Sequence, residues 1–189
     1  MNRPAQTPPL QLALPKLQPL LEYLDGLTEA ADLATLRELL EELDITRADL
    51  APVCEFDDAD YRRIVIKDSV WYEAVCICWK SGQRTPIHDH HGASCAFRII
   101  EGIATETKFE RSPSGLVYAT SSEHQGAGYI CASSATDIHQ IANTQPEGAE
   151  LIHLHIYSPR LRDFNLYSMD THTVGDPETV KRNDYKFAP

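Results

Sequence analysis

The chain has 189 residues, of which 42% are hydrophobic, 8% aromatic and 24% charged, an ordinary globular composition that excludes wholesale disorder and fibrous repeats. Seventeen Lys and Arg against 28 Asp and Glu give a formal net charge of −11. That balance argues against a nucleic-acid partner, because phosphate backbones are bound by neutralising them with basic side chains.

No run approaches the roughly 18 apolar residues that a membrane span requires. The opening MNRPAQTPP lacks the apolar stretch of a secretory signal. A soluble, cytoplasmic protein with no membrane partner is expected, and its oligomeric state is not legible. Five cysteines without a C-x-x-C pair fit reduced, mostly buried thiols.

One domain is expected, divided into a loose arm (1–15), a helical segment (16–55), a β-barrel (56–170) and a polar tail (171–189). Residues 17–24 and 28–43 read as helices, with Leu33, Leu36, Leu40 and Leu43 recurring at the spacing of one buried face. Thr28 is the expected cap of the second, and a short third turn starts at Thr46. After residue 55 the pattern changes to short runs rich in Val, Ile, Tyr and Phe. Strands are predicted at 61–67, 70–79, 96–100, 104–110, 116–120, 128–131, 137–142 and 151–157. Eight strands at this spacing, without βα alternation, make a mainly β sandwich or barrel.

Five of the eight histidines fall in two short segments. In Ile87-His88-Asp89-His90-His91, strand geometry puts alternate side chains on one face, about 6.7 Å apart along the backbone. His88 and His90 then converge, and His139 in a later strand supplies a third imidazole. Three neutral imidazoles leave open positions on a metal, the condition for catalysis. In 151–157, Ile152, Leu154 and Ile156 share one face while His153, His155 and Tyr157 share the other. The second face should line a polar cavity, since such groups need partners when buried. Alternation likewise groups Tyr61, Arg63 and Val65. Arg63 beside Tyr61 is a candidate carboxylate clamp, because a planar guanidinium binds carboxylates in two-point fashion.

Gly82, His88, His90 and Gly102 match the spacing of the first cupin motif, and His139 with Asn143 matches the second. Where cupins usually carry a ligand glutamate, this chain has Cys95. In that respect it resembles the cysteine dioxygenase branch of the thiol dioxygenases. Cys78-Trp79, Tyr61-Arg62-Arg63 and His155-Ile156-Tyr157-Ser158-Pro159 also resemble segments of that family, in the same order.

The resemblance implies a cupin-type β-sandwich or jelly-roll barrel with N-terminal helices packed against it. It implies Fe(II) held by His88, His90 and His139. The partners would be O2 and a small-molecule thiol substrate, with Arg63 and Tyr61 at the substrate carboxylate. Tyr157 would act as a hydrogen-bond donor oriented by His155, with a possible thioether between Cys95 and Tyr157. The implied reaction takes L-cysteine to cysteine sulfinate. His153 stands where the family usually has serine, which places it among the substrate-binding residues and leaves 3-mercaptopropionate and mercaptosuccinate as alternatives. Imidazole also suits zinc and nickel, so a hydrolase or isomerase is a second class, and a non-catalytic cupin binding a small acid is a third.

Overall fold

The computed structural model describes residues 14–134, 137–162 and 164–170, and the backbone of 186–187. Most of the expected arm lies outside these residues, but Leu14 is already core, and a 3-10 turn at Pro15–Leu17 leads into α1 (Gln18–Asp25). Helix α2 (Leu33–Glu42) begins at the first leucine of the buried face, five residues after the expected start at residue 28. Asp32, not Thr28, is its cap: the Asp32 carboxylate accepts the Thr35 N–H at 2.8 Å, satisfying a donor the first turn leaves open. Thr46 and Asp49 then form a reciprocal cap on the 3-10 segment Arg47–Val53.

Strands β1 (Arg62–Asp68), β2 (Glu73–Trp79), β4 (Ser94–Glu101), β7 (Ile130–Ser133) and β9 (Leu151–Ser158) build one sheet. The two-residue β11 (Lys186–Phe187) joins its edge, parallel to β1. The rest of the expected tail lies outside the described residues. Strands β3 (Ile87–His88), β5 (Ile103–Arg111), β6 (Val117–Gly126), β8 (Ile138–Ala142) and β10 (Leu166–Tyr167) build the second. Every pairing except β1 with β11 is antiparallel.

The first sheet is sandwiched between two apolar layers. On its outer side, Ile64, Ile66, Ala74, Cys76, Ile152, Leu154 and Ile156 meet the leucines of α1 and α2. On its inner side, Val65, Val75, Ile77, Trp79, Phe97 and Tyr157 meet Ala104 and Ile141 of the second sheet. Central strands β2 and β9 are therefore buried along their whole length. Each fully buried leucine or isoleucine contributes about 1.5–3 kcal/mol. This is the cupin-type barrel with N-terminal helices expected from the sequence.

Strand β6 runs six residues past its expected end, through Ser121-Ser122-Glu123-His124-Gln125-Gly126. It is an edge strand and exposed on most of its length, so it shows no apolar alternation to read. Gly102 closes the β4–β5 turn at φ +84°, where a Cβ would sit 2.3 Å from the Glu150 carbonyl oxygen. Only glycine fits both the conformation and the space. Among the described residues, no helix is long and apolar enough to cross a membrane.

Candidate metal centre

His88, His90 and His139 meet inside the barrel, with one ring nitrogen from each within 4.8 Å of the others. His88 and His139 are direct cross-strand neighbours on β3 and β8. The strand expected to carry both His88 and His90 ends at His88. His90 enters from the following turn, which His91 (φ 45°) and Gly92 (φ 87°) close with left-handed backbone.

The outer partners of these rings fix their tautomers. His139 Nδ1 lies 2.9 Å from Glu106 Oε1, and His88 Nδ1 lies 2.9 Å from the Pro86 carbonyl oxygen. A carboxylate and a carbonyl only accept, so both Nδ1 atoms carry a hydrogen, and Nε2 is the atom of each ring left to face a metal. His139 Nε2 approaches His90 Nε2 at 3.3 Å. Burial is the main cause holding His88 neutral, with its pKa lowered to about 3, and His90, lowered to about 2; the neighbouring imidazoles add to it. Three converging imidazoles, with His90 and His139 buried and His88 half-buried, are a donor set for a divalent transition metal.

Glu106 was not among the residues picked out from the sequence. Burial alone would raise its pKa, but hydrogen bonds from His139 and Gln125 hold it below the usual carboxylate range. Carboxylate partners of this kind orient ligand imidazoles and raise their basicity. Glu106→Leu is expected to weaken metal affinity by about 10–100-fold in a chelator-competition titration, and an unchanged affinity would reduce Glu106 to a packing role.

The first sheet supplies the facing wall. Cys95 and Tyr157 are direct cross-strand partners on β4 and β9, and both point into the inner core. Burial holds the Tyr157 hydroxyl and the Cys95 thiol protonated, each well above its ordinary pKa. The Tyr157 ring packs edge-on to His90 with centres 5.3 Å apart. Behind it runs a chain of polar contacts: Tyr157 oxygen to His155 Nδ1 at 3.3 Å, then His155 Nε2 to His153 Nδ1 at 3.1 Å. Cys95 Sγ lies 3.6 Å from the same His155 Nδ1.

Phe97 stacks on both imidazoles and Trp79 packs on His153. Burial pushes the His153 pKa down to about 3, against about 6.5 in an unfolded chain. The unfolded chain takes up the proton first, so stability is full above the unfolded value and lost as pH falls toward the folded one, by about 1.4 kcal/mol per unit. His153→Phe keeps a ring in the stack, and is expected to remove about that much from the pH slope of unfolding free energy between about pH 6 and 4. An identical slope in the variant would show that His153 is not the titrating group.

Arg63 faces the interior, but an internal carboxylate holds its fork. Arg63 Nη1 and Nη2 donate to Glu73 Oε1 and Oε2 at 3.2 and 2.5 Å, and the Glu73 side chain is fully buried. Arg63 also lies over the Tyr157 ring, 5.7 Å from its centre. Tyr61 stacks on Trp79 at 5.8 Å. Glu73 was also overlooked in the sequence, although a lone acid in a strand buried on both faces demands a partner.

Other histidines stand apart from the cluster. His91 and His124 are exposed, and His172 lies outside the described residues. Asn143 is structural. Its side-chain NH2 donates to the Trp79 and Ala149 carbonyls, and its oxygen accepts from Gln145.

The chain is similar to several known proteins. Cysteine dioxygenase type 1 of Danio rerio is 24% identical over 162 residues, 82% of this chain and 77% of that protein. The Rattus norvegicus protein of the same name is 27% identical over 134 residues, 66% and 64% of the two chains. Among solved structures, a Klebsiella pneumoniae protein with a double-stranded beta-helix domain is similar at 19% identity and a TM-score of 0.48, covering 63% of this chain and 94% of that one. The family model for cysteine dioxygenase type I matches residues 14–170, a span that holds both walls of the site and the helices behind them, and the chain belongs to that family.

Proposed function

We propose that the chain is a non-haem Fe(II) thiol dioxygenase that adds both atoms of O2 to the sulfur of a small thiol. L-cysteine, giving cysteine sulfinate, is the first candidate; 3-mercaptopropionate and mercaptosuccinate are the other mercapto acids. The observation that carries this reading is the convergence of three imidazoles opposite the Cys95–Tyr157 pair. Bound at His88, His90 and His139, Fe(II) would supply a divalent centre that stabilises a substrate thiolate and brings dioxygen to it.

The protein's own groups act around that centre. With His153 Nδ1–H donating to His155 Nε2, and His155 Nδ1–H donating to the Tyr157 oxygen, the Tyr157 hydroxyl proton is left to point into the cavity. Phe97 and Trp79 keep that chain out of water. Direct cross-strand neighbours have Cβ atoms about 4.5–5.5 Å apart, which supports a thioether between Cys95 Sγ and the Tyr157 ring. Its formation removes one hydrogen from each partner and passes both to dioxygen, the two-electron oxidant.

Oxygen uptake by Fe(II)-loaded protein is expected with at least one of the three thiols, with both oxygen atoms appearing in the sulfinate by mass. No uptake despite bound Fe(II) would remove the thiol assignment and favour a hydrolytic or non-catalytic cupin. A denaturing gel should show two bands that merge in Cys95→Ser; a single band in the wild type that matches the variant would rule the cross-link out.

A further inference from the structure

We propose that Glu73 is a specificity-determining residue: by occupying the fork of Arg63 it makes the tail-binding end of the cavity electrically neutral, so that the site favours thiols whose tail carries no net charge over mercapto acids. This inference rests on the thiol dioxygenase reading and narrows its substrate class.

The placement is what matters. Glu73 and Tyr157 are direct cross-strand neighbours on β2 and β9. Arg63 lies over one side of the Tyr157 ring, and His90 packs against that ring at 5.3 Å. The Arg63–Glu73 pair therefore stands one aromatic ring away from the imidazole cluster, where the tail of a small thiol held at that cluster would reach. Arg63 is only 9% exposed and Glu73 0%. Two parallel N–H···O contacts already use the geometry in which a guanidinium would grip a ligand carboxylate.

A mercapto acid brings a second carboxylate to a single guanidinium. Either it displaces Glu73, leaving a fully buried carboxylate without its counter-ion, or it stays desolvated beside a neutralised pair. Both outcomes are unfavourable, because a buried charge that loses its partner keeps its whole desolvation cost. A neutral amide adds no charge, and a zwitterionic amino-acid tail carries its own ammonium beside the carboxylate, so neither adds net charge to the pair. Among the candidate substrates this ranks L-cysteine first, 3-mercaptopropionate second and the doubly anionic mercaptosuccinate last.

Two near-isosteric probes isolate the charge: 3-mercaptopropionate and 3-mercaptopropanamide. The full chain is loaded with Co(II) and titrated with each without oxygen, following thiolate-to-cobalt absorption. Wild type is expected to bind the amide at least about tenfold more tightly than the acid. Glu73→Gln should move that ratio toward the acid by a similar factor, and Glu73→Asp should restore the wild-type order. Tighter or equal binding of the acid by wild type overturns the inference, as does a ratio that Glu73→Gln leaves unchanged. Should Glu73→Gln fail to accumulate folded, the wild-type comparison alone decides. Loss of thiolate absorption with both probes would fell the thiol dioxygenase reading itself, and the inference with it.

Discussion

Alanine at His139 is expected to leave a folded protein that no longer retains a divalent metal through dialysis. The ring removed supplies one of the three converging nitrogens, and its other nitrogen holds the Glu106 carboxylate. Losing a ligand should cost more than the about 10–100-fold in affinity typical of an outer partner, so bound metal should fall well below one equivalent and oxygen uptake with it. His90→Ala should behave alike. His91→Ala is the control within the same His-Asp-His-His run: its ring is exposed and stands outside the cluster, and metal content should be unaffected. Full metal retention in His139→Ala, measured by elemental analysis, would move the site elsewhere.

The parts of this site that sequence made legible are those governed by period-two alternation. His153, His155 and Tyr157 on one face of β9, and Arg63 with Val65 on one face of β1, follow from strand geometry alone, and the structure turns both sets inward. The H-x-H pair was found for a reason that only half applies. His88 sits on a strand, whereas His90 is carried to the same point by a turn that the local pattern did not announce. Glu106 was hidden by its neighbours: it alternates with Lys108 and Glu110, so that face of β5 reads as solvated. Only tertiary placement beside His139 shows why a carboxylate is there. The helix start was missed because Thr28 and Asp32 are both good caps, and backbone geometry, not residue type, chose the second.

Glu73 exposes a consequence for any experiment on the arginine. Arg63→Met or Glu73→Met alone is expected to cost about 3–5 kcal/mol in unfolding free energy, because each strands a buried charge. The double substitution Arg63→Met/Glu73→Met removes both charges together, and is expected to return most of that loss, since apolar groups often replace a buried ion pair at little net cost. A denaturant-unfolding cycle on the four proteins should therefore give a strongly non-additive result, with a coupling beyond about 2 kcal/mol; additive losses would mean that the pair is solvated and only weakly joined. The cycle also separates two roles for Arg63. If Arg63 gripped only the substrate, its loss would change substrate affinity and spare stability. With Glu73 holding the same fork at 3.2 and 2.5 Å, stability and affinity should fall together in the single variant. They should separate in the double variant, whose uncharged tail site should then handle 3-mercaptopropanamide better than 3-mercaptopropionate.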